Sequence, residues 1–592
     1  MKKNNSDNYI KSLFVSFKKY YVPFSLSILL LLISVACSII IPSQIQNLTN
    51  VIGNFVSAQI KSGTYYVDFS KVTQIGIVLI CLIAGAWISQ VISGFILNVC
   101  IQKYSKELRN DIYSKINKLP LSYFDNKQIG DILSILANDV DALSTALQNS
   151  LSALIQGVAL LFGVIIAMFI SCWQLAVAVI CSVPIMVVAL FINFKVAGPY
   201  FNANQERLGA LNSFIEENIS GHIIVKAFGQ EEREKEEFKK RNISLKKSLF
   251  SSQNLGGFLE PIMSLISFLT YAAVLILGGI LFHNGTIDFG LITGFIVYVS
   301  LFQQPLSLFG QVGITIQSGL AGCKRVFEFL KEKELPDESY KEDKLDLDHI
   351  NGDVEFKDVC FGYKEDKLTI KNFTLKVKKG MKVAIVGPTG AGKTTLVNLL
   401  MRFYETKSGD ILIDNVSIHD MNPKEVRKVF GMILQDTWII NGTIRENIVY
   451  NNTSITEEEL DHILVETNLK HFVETLPLGL DTVIQDESAL SSGQKQLVTI
   501  ARAMVENAPL LILDEATSNV DTRTEILIQN AMDALTKGRT SFVIAHRLST
   551  IKNADLIITM QDGNVVETGN HESLLKNKGL YYQIYNSQFT RN

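Results

Sequence analysis

The sequence predicts an all-α membrane-spanning half with six transmembrane helices, followed by an α/β half built on a largely parallel sheet. Three observations lead to this prediction. The 592 residues are too many for one compact domain. A mean hydropathy of +0.23 together with 19% charged residues indicates that apolar and charged sections are separated along the chain. Long apolar stretches occupy the first half, whereas short β-rich runs alternate with amphipathic helices in the second.

Six apolar stretches in the first half each have about the 20 residues that a helix needs to cross a bilayer. They are residues 22–41, 75–97, 151–171, 175–194, 262–282 and 289–309. A buried helix of a soluble protein is the alternative for any one of them. Six such stretches in succession instead indicate a multi-pass membrane protein in contact with the lipid bilayer.

Basic residues give the orientation of these stretches. Lysine and arginine are concentrated in the N-terminal segment and in the loops after the second and fourth stretches, whereas the turns at 171–174 and 283–288 contain neither. Because cytoplasmic loops carry the excess of basic residues, we expect the N-terminus, those two loops and the α/β half to be cytoplasmic. The predicted location is the cell membrane.

Both long cytoplasmic loops have helical periodicity, over residues 102–146 and 201–252. Each contains one break, at Pro120 and at Gly221. We therefore expect pairs of helices that protrude into the cytoplasm and reverse direction at their tips.

The predicted domain organisation has four parts. They are an N-terminal interfacial segment (1–20), a transmembrane domain (21–330), a charged linker (331–350) and an α/β domain (351–592) with strands at 354–359, 383–386, 510–513, 540–544 and 556–559. The formal net charge of −3 gives no indication of a nucleic-acid partner. The seven cysteines are scattered singly, which favours neither a zinc site nor a disulfide framework.

The strongest motif runs from Gly387 to Thr394 and fits the pattern G-x-x-x-x-G-K-[ST]. It follows a predicted strand at 382–386 and opens a predicted helix at 395–401, so its backbone N–H groups can surround the phosphates of ATP. Lys393 is expected to reach the β- and γ-phosphates, and Thr394 to bind Mg²⁺. The expected nucleotide-binding residues of this segment are Gly387, Pro388, Thr389, Gly390, Ala391, Gly392, Lys393, Thr394 and Thr395.

A second motif supplies two carboxylates at the end of an apolar strand. The strand is predicted at 510–513, and Asp514 and Glu515 follow it directly. Asp514 is expected to hold Mg²⁺, and Glu515 to polarise the water that attacks the γ-phosphate. Together, the two motifs predict an ATPase that uses ATP and Mg²⁺.

On these motifs the chain resembles the ATP-binding cassette transporters, and within them the exporters whose membrane and ATPase domains are fused. Residues 490–494 resemble the L-S-G-G-Q signature of that family, which contacts ATP bound to the opposite subunit. The resemblance implies nucleotide contacts from Ser491, Ser492, Gly493 and Gln494. It further implies that Tyr363 stacks on adenine, that Gln435 joins the Mg²⁺ shell, that His546 contacts the γ-phosphate, and that 518–521 communicates across a dimer.

Two positions depart from the family pattern. Ser492 replaces the first glycine of the signature, and residues 485–489 lack the glycine often found there. With Glu515 intact, the chain looks most like the catalytically complete subunit of bacterial heterodimeric multidrug-type exporters. The expected partner is therefore a second half-transporter, and a homodimer stays open.

The predicted function is export driven by ATP hydrolysis, by alternating access, as half of a dimer. Because the apolar stretches hold almost no charge, we expect a small lipophilic or amphipathic substrate such as a drug, a lipid or a peptide. The alternative is a nucleotide-gated channel or sensor subunit that binds ATP without transport coupling. The intact Asp514, Glu515 and His546 argue against that alternative.

Overall fold

The structure is a computed structural model, and two compact units make up the chain. It describes residues 9, 11–13, 15–62, 69–338, 340–341, 345, 350–364, 366–435, 437–452, 454–484, 490–514, 521–545 and 548–589. The helical unit comprises Met1–Asn117 and Ile129–Glu332, and the α/β unit comprises Lys118–Gln128 and Lys333–Asn592.

Helices account for the described part of the chain as far as residue 330. A 3₁₀ helix, Phe17–Tyr20, precedes the helices α1 (Tyr21–Ser62), α2 (Phe69–Ile116), α3 (Leu121–Asp125), α4 (Ile129–Ser134), α5 (Val140–Thr145), α6 (Ser152–Ser171), α7 (Trp173–Ile180), α8 (Ser182–Ser220), α9 (His222–Ala227), α10 (Glu231–Gly257), α11 (Leu259–His283) and α12 (Phe289–Leu330). Two π-helical segments, Ile135–Asp139 and Ala146–Leu151, flank α5.

Five stretches of the described chain are helical, long and apolar enough to cross a membrane, where the sequence predicted six. They are Phe17–Val56, Phe69–Ile116, Ile129–Ser171, Trp173–Ser220 and Glu231–His283. The sixth prediction falls on α12, whose apolar part, Phe289–Pro305, is a shorter stretch by the same measure. The count of six is therefore not reproduced by length and hydropathy, although α12 itself runs for 42 residues.

The core of the helical unit lies where α1, α6, α7, α11 and α12 meet. Val164, Leu175, Val274 and Phe295 are completely buried there. Many other large apolar side chains on these helices are exposed, and Ile170 is 81% exposed. An exposed apolar surface of this kind fits a protein surrounded by lipid.

The predicted breaks in the two long loops are confirmed. The first loop turns at Pro120, which has extended backbone and caps α3; a proline ring blocks continuation of the preceding helix. In the second loop α8 ends at Ser220, Gly221 caps it, and the short helix α9 follows. Helix α3 belongs to the α/β unit, where Leu335 N–H donates to the Lys118 carbonyl at 2.9 Å.

The α/β unit contains three sheets among its described residues. Its strands are β1 (Val354–Phe361), β2 (Ile370–Val377), β3 (Lys382–Val386), β4 (Ser408–Ile413), β5 (Val416–Ser417), β6 (Phe430–Ile433), β7 (Gly442–Thr443), β8 (Val483–Ile484), β9 (Leu510–Asp514), β10 (Thr540–Ile544), β11 (Leu556–Gln561) and β12 (Asn564–Gly569). The orders are β2-β1-β4-β5, β12-β11-β3-β10-β9-β6 and β7-β8.

The six-stranded sheet is parallel except at β12, which confirms a largely parallel sheet. The predicted strand at 354–359 lies elsewhere, in the antiparallel four-stranded sheet. The helices of this unit are α13 (Lys393–Leu400), α14 (Pro423–Val429), α15 (Ile444–Val449), α16 (Glu457–Glu466), α17 (Lys470–Glu474), α18 (Ser492–Glu506), α19 (Thr522–Thr536), α20 (Leu548–Lys552), α21 (His571–Asn577) and α22 (Leu580–Phe589), with a 3₁₀ helix at Gly479–Asp481.

A buried carboxylate joins α12 to the first π-helical segment of the helical unit. The side chain of Asp139 is 3% exposed, and Arg325 Nε donates to its Oδ2 at 2.7 Å while Nη2 donates to Oδ1. The Arg325 side chain is 58% exposed, so water reaches the pair from one side. The ion pair is therefore weaker than a fully buried one and still leaves Asp139 dependent on its partner.

Replacing Arg325 by alanine is predicted to destabilise the helical unit by about 2 kcal/mol, because a buried carboxylate loses its cation. Thermal unfolding of the purified protein in detergent would show this as a lower Tm. Lys324→Ala is the matched control, because the neighbouring Lys324 forms an exposed pair with Glu328. Equal Tm values for the two variants would contradict the prediction.

Candidate functional site

Pairing of parallel strands brings the two predicted motifs to one edge of the six-stranded sheet. Ile544 of β10 pairs with Ile385 of β3 on one side and with Asp514 of β9 on the other. Strand β3 leads into the phosphate-loop motif, and β9 ends at Asp514. Because the carboxyl ends of parallel strands meet at the same edge, the loop and the carboxylate are neighbours.

Strand β6 adds a third residue at this edge. Ile433 pairs with Leu513, so the chain after β6 leaves the sheet beside Asp514. Gln435 follows two residues later, and its side chain is exposed. The hydroxyl of Thr394, the amide oxygen of Gln435 and the carboxylate of Asp514 are oxygen donors of the kind that Mg²⁺ prefers. The donor set thus fits a magnesium ion held together with phosphate.

The loop has the backbone conformation that the motif requires. Gly390 and Gly392 have φ angles of +85° and +101°, and Gly392 caps α13. A Cβ atom at Gly392 would lie 2.8 Å from Ile370 Cδ1, so a side chain there would displace the end of that isoleucine as well as strain the backbone. The loop therefore presents the N-terminus of α13 to an anion.

Lys393 lies over the loop. Its Nζ donates to the carbonyl of Gly387 at 2.7 Å and to that of Pro388 at 3.2 Å. Burial lowers the pKa of Lys393, and the nearby carboxylate of Asp514 acts in the opposite direction. A half-buried ammonium group held by carbonyl oxygens beside a carboxylate is well placed to accept a phosphate.

Tyr363 lies beside the same helix and is 50% exposed. Its hydroxyl is 3.3 Å from Thr395 Oγ1, and its ring packs edge-on against Tyr404, with centroids 5.1 Å apart. Tyr404 in turn donates to Asp125 of α3. Burial, reinforced by this hydrogen bond, raises the pKa of Tyr404. Tyr404 follows α13 with no motif to mark it, and it was not predicted from the sequence.

The signature segment forms the start of α18. Ser491 Oγ accepts from Gln494 N–H at 3.2 Å, and Gln494 Oε1 accepts from Ser491 N–H at 2.9 Å. This reciprocal capping box uses the Gln494 side chain to hold the helix start. Ser492 is the first residue of the helix, a position with ordinary helical backbone, and Ser491 and Ser492 are both exposed.

Several predicted site residues lie outside the described residues. They are Glu515, His546 and the part of the dimer-communicating loop at 518–520, together with the stretch 485–489 before the signature. Asp521, the last residue of that loop, caps α19 by accepting from the N–H groups of Arg523 and Thr524, both at 3.0 Å. These backbone hydrogen bonds, that of Thr524 first, lower the pKa of Asp521.

Comparisons with known proteins identify the family of the chain. Residues 24–306 match the family description "ABC transporter transmembrane region", and residues 370–518 match "ABC transporter". The "Fatty acid ABC transporter ATP-binding/permease protein" of Mycobacterium bovis is 42% identical over 88% of this chain and 82% of its own length. The chain belongs to the ABC transporter family.

Two further comparisons extend over most of this ABC transporter. The "ATP-dependent lipid A-core flippase" of Syntrophus aciditrophicus is 34% identical over 88% of the chain and 86% of its own length. A solved structure of a bacterial Atm1-family ABC exporter with ATP bound is 27% identical, covers 95% of the chain and 97% of its own, and gives a TM-score of 0.73. The chain is thus a multi-pass ABC exporter with an ATPase domain, of the half-transporter type.

Replacing Gly392 by alanine is predicted to abolish most ATP binding by this ABC transporter. The new methyl group would meet Ile370 and would force an L residue into positive φ, so the loop could not keep its shape around the phosphates. Equilibrium binding of a fluorescent ATP analogue to the purified protein measures the effect.

Gly380→Ala is the control for backbone strain alone. Gly380 also has positive φ, +74°, but a Cβ there would meet only Gly538 O at 3.9 Å. It should keep its nucleotide affinity. Equal losses in both variants would mean that general destabilisation, and not the loop, accounts for the result.

Proposed function

We propose that this chain is one half of a dimeric exporter that uses ATP hydrolysis to move an amphipathic, lipid-like molecule across the cell membrane. The observation that carries the proposal is the meeting of the phosphate loop, Asp514 and the chain after β6 at one sheet edge, in a polypeptide that also contains the membrane-spanning helices. ATP binding and membrane passage are thus joined in one chain.

Export requires a membrane domain with a cytoplasmic ATPase. We propose six spans, with α12 as the sixth, because its 42 residues exceed the bilayer requirement of about 20. An even number of spans returns the chain to the side of its N-terminus, where the basic loops also lie. The proposed domains are 1–20, 21–330, 331–350 and 351–592, and α3 is the part of the transmembrane domain that packs within the α/β unit.

The proposed chemistry uses this chain's own residues as follows. Lys393 and the loop N–H groups bind the β- and γ-phosphates. Thr394, Gln435 and Asp514 would hold Mg²⁺, which supplies positive charge to the phosphates when bound. Glu515 orients the attacking water and accepts its proton, and His546 contacts the γ-phosphate.

A dimer follows from the signature segment. The exposed start of α18, with Ser491 and Ser492 at its tip, presents the positive end of the helix to the ATP of a partner subunit. ATP held between two subunits would favour the closed, outward-open pair, and loss of the γ-phosphate would release it. We favour a heterodimer, on the resemblance of the intact motifs to the complete subunit of such pairs.

The cargo is proposed from the membrane helices and from the relatives. The helices expose a nearly uncharged apolar surface, which suits a lipophilic or amphipathic molecule. Relatives that match over most of the chain carry the words "Fatty acid" and "lipid A-core flippase" in their names. We therefore favour fatty acids and lipids over drugs and peptides as the transported substrate.

Reconstituted vesicles test this order of substrates. ATP should drive inward accumulation of a fluorescent fatty acid or phospholipid in vesicles with outward-facing ATPase domains, and each transported compound should raise the ATPase rate. If the compounds bind but neither move nor stimulate hydrolysis, the chain is a nucleotide-gated channel or sensor and the export proposal is wrong.

Replacing Glu515 by glutamine is predicted to lower the ATPase rate by about 10²- to 10⁴-fold while ATP still binds, because an amide cannot accept the water's proton. Phosphate release and trapping of labelled ATP measure the two effects. Glu458→Gln is the control, because it removes the same charge at an exposed position of α16. An unchanged ATPase rate in Glu515→Gln would reject the assigned base.

Replacing Tyr363 by leucine should weaken ATP binding about 5- to 150-fold, because an aromatic ring that stacks on a base contributes about 1–3 kcal/mol. Tyr363→Phe keeps the ring and should bind ATP almost normally. Titration with ATP and with triphosphate alone separates base stacking from phosphate binding. The proposed stacking role of Tyr363 is wrong if Tyr363→Phe and Tyr363→Leu bind ATP with the same affinity.

A further inference from the structure

A cavity of about 750 Å³ opens on the helical unit between the N-terminal segment and α2. One wall is formed by Lys19, Tyr20 and Pro23, and the other by the stretch of α2 from Phe95 to Asn110. It lies outside the nucleotide site, and nothing in the proposed transport cycle uses it.

The α2 wall changes character along its length. Phe95 and Ile96, at the end of the apolar stretch, and Val99 line one part of the cavity, and Lys103 and Lys106 line the part further along α2. Residues three and four apart share one face of a helix, so this is a single stripe. The distance from Ile96 to Lys106 is about 15 Å at 1.5 Å per residue. The stripe thus begins apolar and ends basic. This order matches a phospholipid, whose apolar acyl chains meet a charged headgroup.

The positive charge of the cavity comes from two lysines. Lys19 forms an ion pair with Glu107, which joins the N-terminal segment to α2. Lys103 and Lys106 are exposed, and among the described residues neither has an ion-pair partner. Asn110 adds an amide one turn further on. An anion with several oxygen atoms would complement these groups.

The opposite wall is held in place by buried contacts. Ser16 Oγ lies 2.8 Å from the hydroxyl of Tyr104, and the ring of Phe17 packs edge-on against Tyr104 with centroids 5.1 Å apart. Tyr20 and Cys100 are 7% and 5% exposed. Because both walls are built into the fold, the cavity is a formed site and not a gap between mobile side chains.

We propose that this cavity is a binding site for an anionic phospholipid of the cytoplasmic leaflet, with the phosphate at Lys103 and Lys106 and an acyl chain along Phe95, Ile96 and Val99. Charge complementarity and the apolar-to-basic stripe select this occupant, since basic sites at the cytoplasmic ends of spans attract anionic headgroups. The lipid would be a resident ligand that fixes the N-terminal segment to α2, separate from any transported cargo.

Native mass spectrometry of the delipidated full-length protein in detergent tests this, without nucleotide. The probes are phosphatidylglycerol and phosphatidylcholine with identical acyl chains. Wild type should bind phosphatidylglycerol about 5- to 30-fold more tightly than Lys103→Gln/Lys106→Gln, at about 1 kcal/mol per lysine, and phosphatidylcholine should bind both equally. Phe95→Ser/Val99→Ser should weaken both lipids.

Lys239→Gln/Lys240→Gln, on α10, removes the same charge from an exposed helix and should bind phosphatidylglycerol as wild type does. The proposal is overturned if this control loses as much phosphatidylglycerol affinity as Lys103→Gln/Lys106→Gln. It is also overturned if wild type binds the two lipids with equal affinity, or if no lipid binds because a second copy covers the cavity. Glycerol phosphate is the soluble competitor, and displacement of the lipid at equal concentration would mean a free-anion site instead.

Discussion

Parallel pairing of β3, β10 and β9 is the constraint on which the nucleotide site depends. Ile544 of β10 fixes the register of both neighbouring strands, because it pairs with Ile385 of β3 and with Asp514 of β9. A slip of one residue would move Asp514 by about 3.3 Å and turn its carboxylate to the opposite face of the sheet. Strands β9 and β10 are buried almost throughout, so their apolar side chains oppose any such slip. The core thus determines where the phosphate loop meets its acidic partner.

The helical unit depends on a different constraint, which is the position at which each long helix ends. Helix α2 continues past its apolar part to Ile116, and Pro120 then starts α3 with a new direction. Helix α8 likewise ends at Ser220, before Gly221. In the first loop the break leaves α3 within the α/β unit, held by Leu335 and Tyr404. A turn at a single proline therefore separates the long helix α2 from a short helix that is grouped with the α/β unit.

Much of this arrangement could be predicted from the sequence, because its signals are local. The strands β3, β9, β10 and β11, the loop from Gly387 to Thr394 and both helix breaks depend on neighbouring residues. The antiparallel sheet of β1, β2, β4 and β5 was not predicted, because β1 was the only one of its strands recognised from the sequence and the parallel pattern of the later strands gave no sign of a second sheet. The position of Gln435 depends on the pairing of β6 with β9, and the contacts of Tyr404 depend on α3. Neither of these long-range contacts can be read from the neighbouring residues in sequence. Gln494 was predicted to contact nucleotide because it belongs to the signature, and its role in capping α18 was not predicted.

The row of side chains Tyr363, Tyr404 and Asp125 has a thermodynamic consequence. Tyr363 borders the nucleotide loop, and Asp125 lies on α3, which is covalently continuous with a membrane helix. If occupancy of the nucleotide loop shifts the balance between two positions of α3, then reciprocity requires that whatever holds α3 in one position changes the affinity for nucleotide by the same factor. A molecule bound among the membrane helices would then alter the dissociation constant of ATP without touching it, and equilibrium titrations would detect that coupling even in a protein unable to hydrolyse.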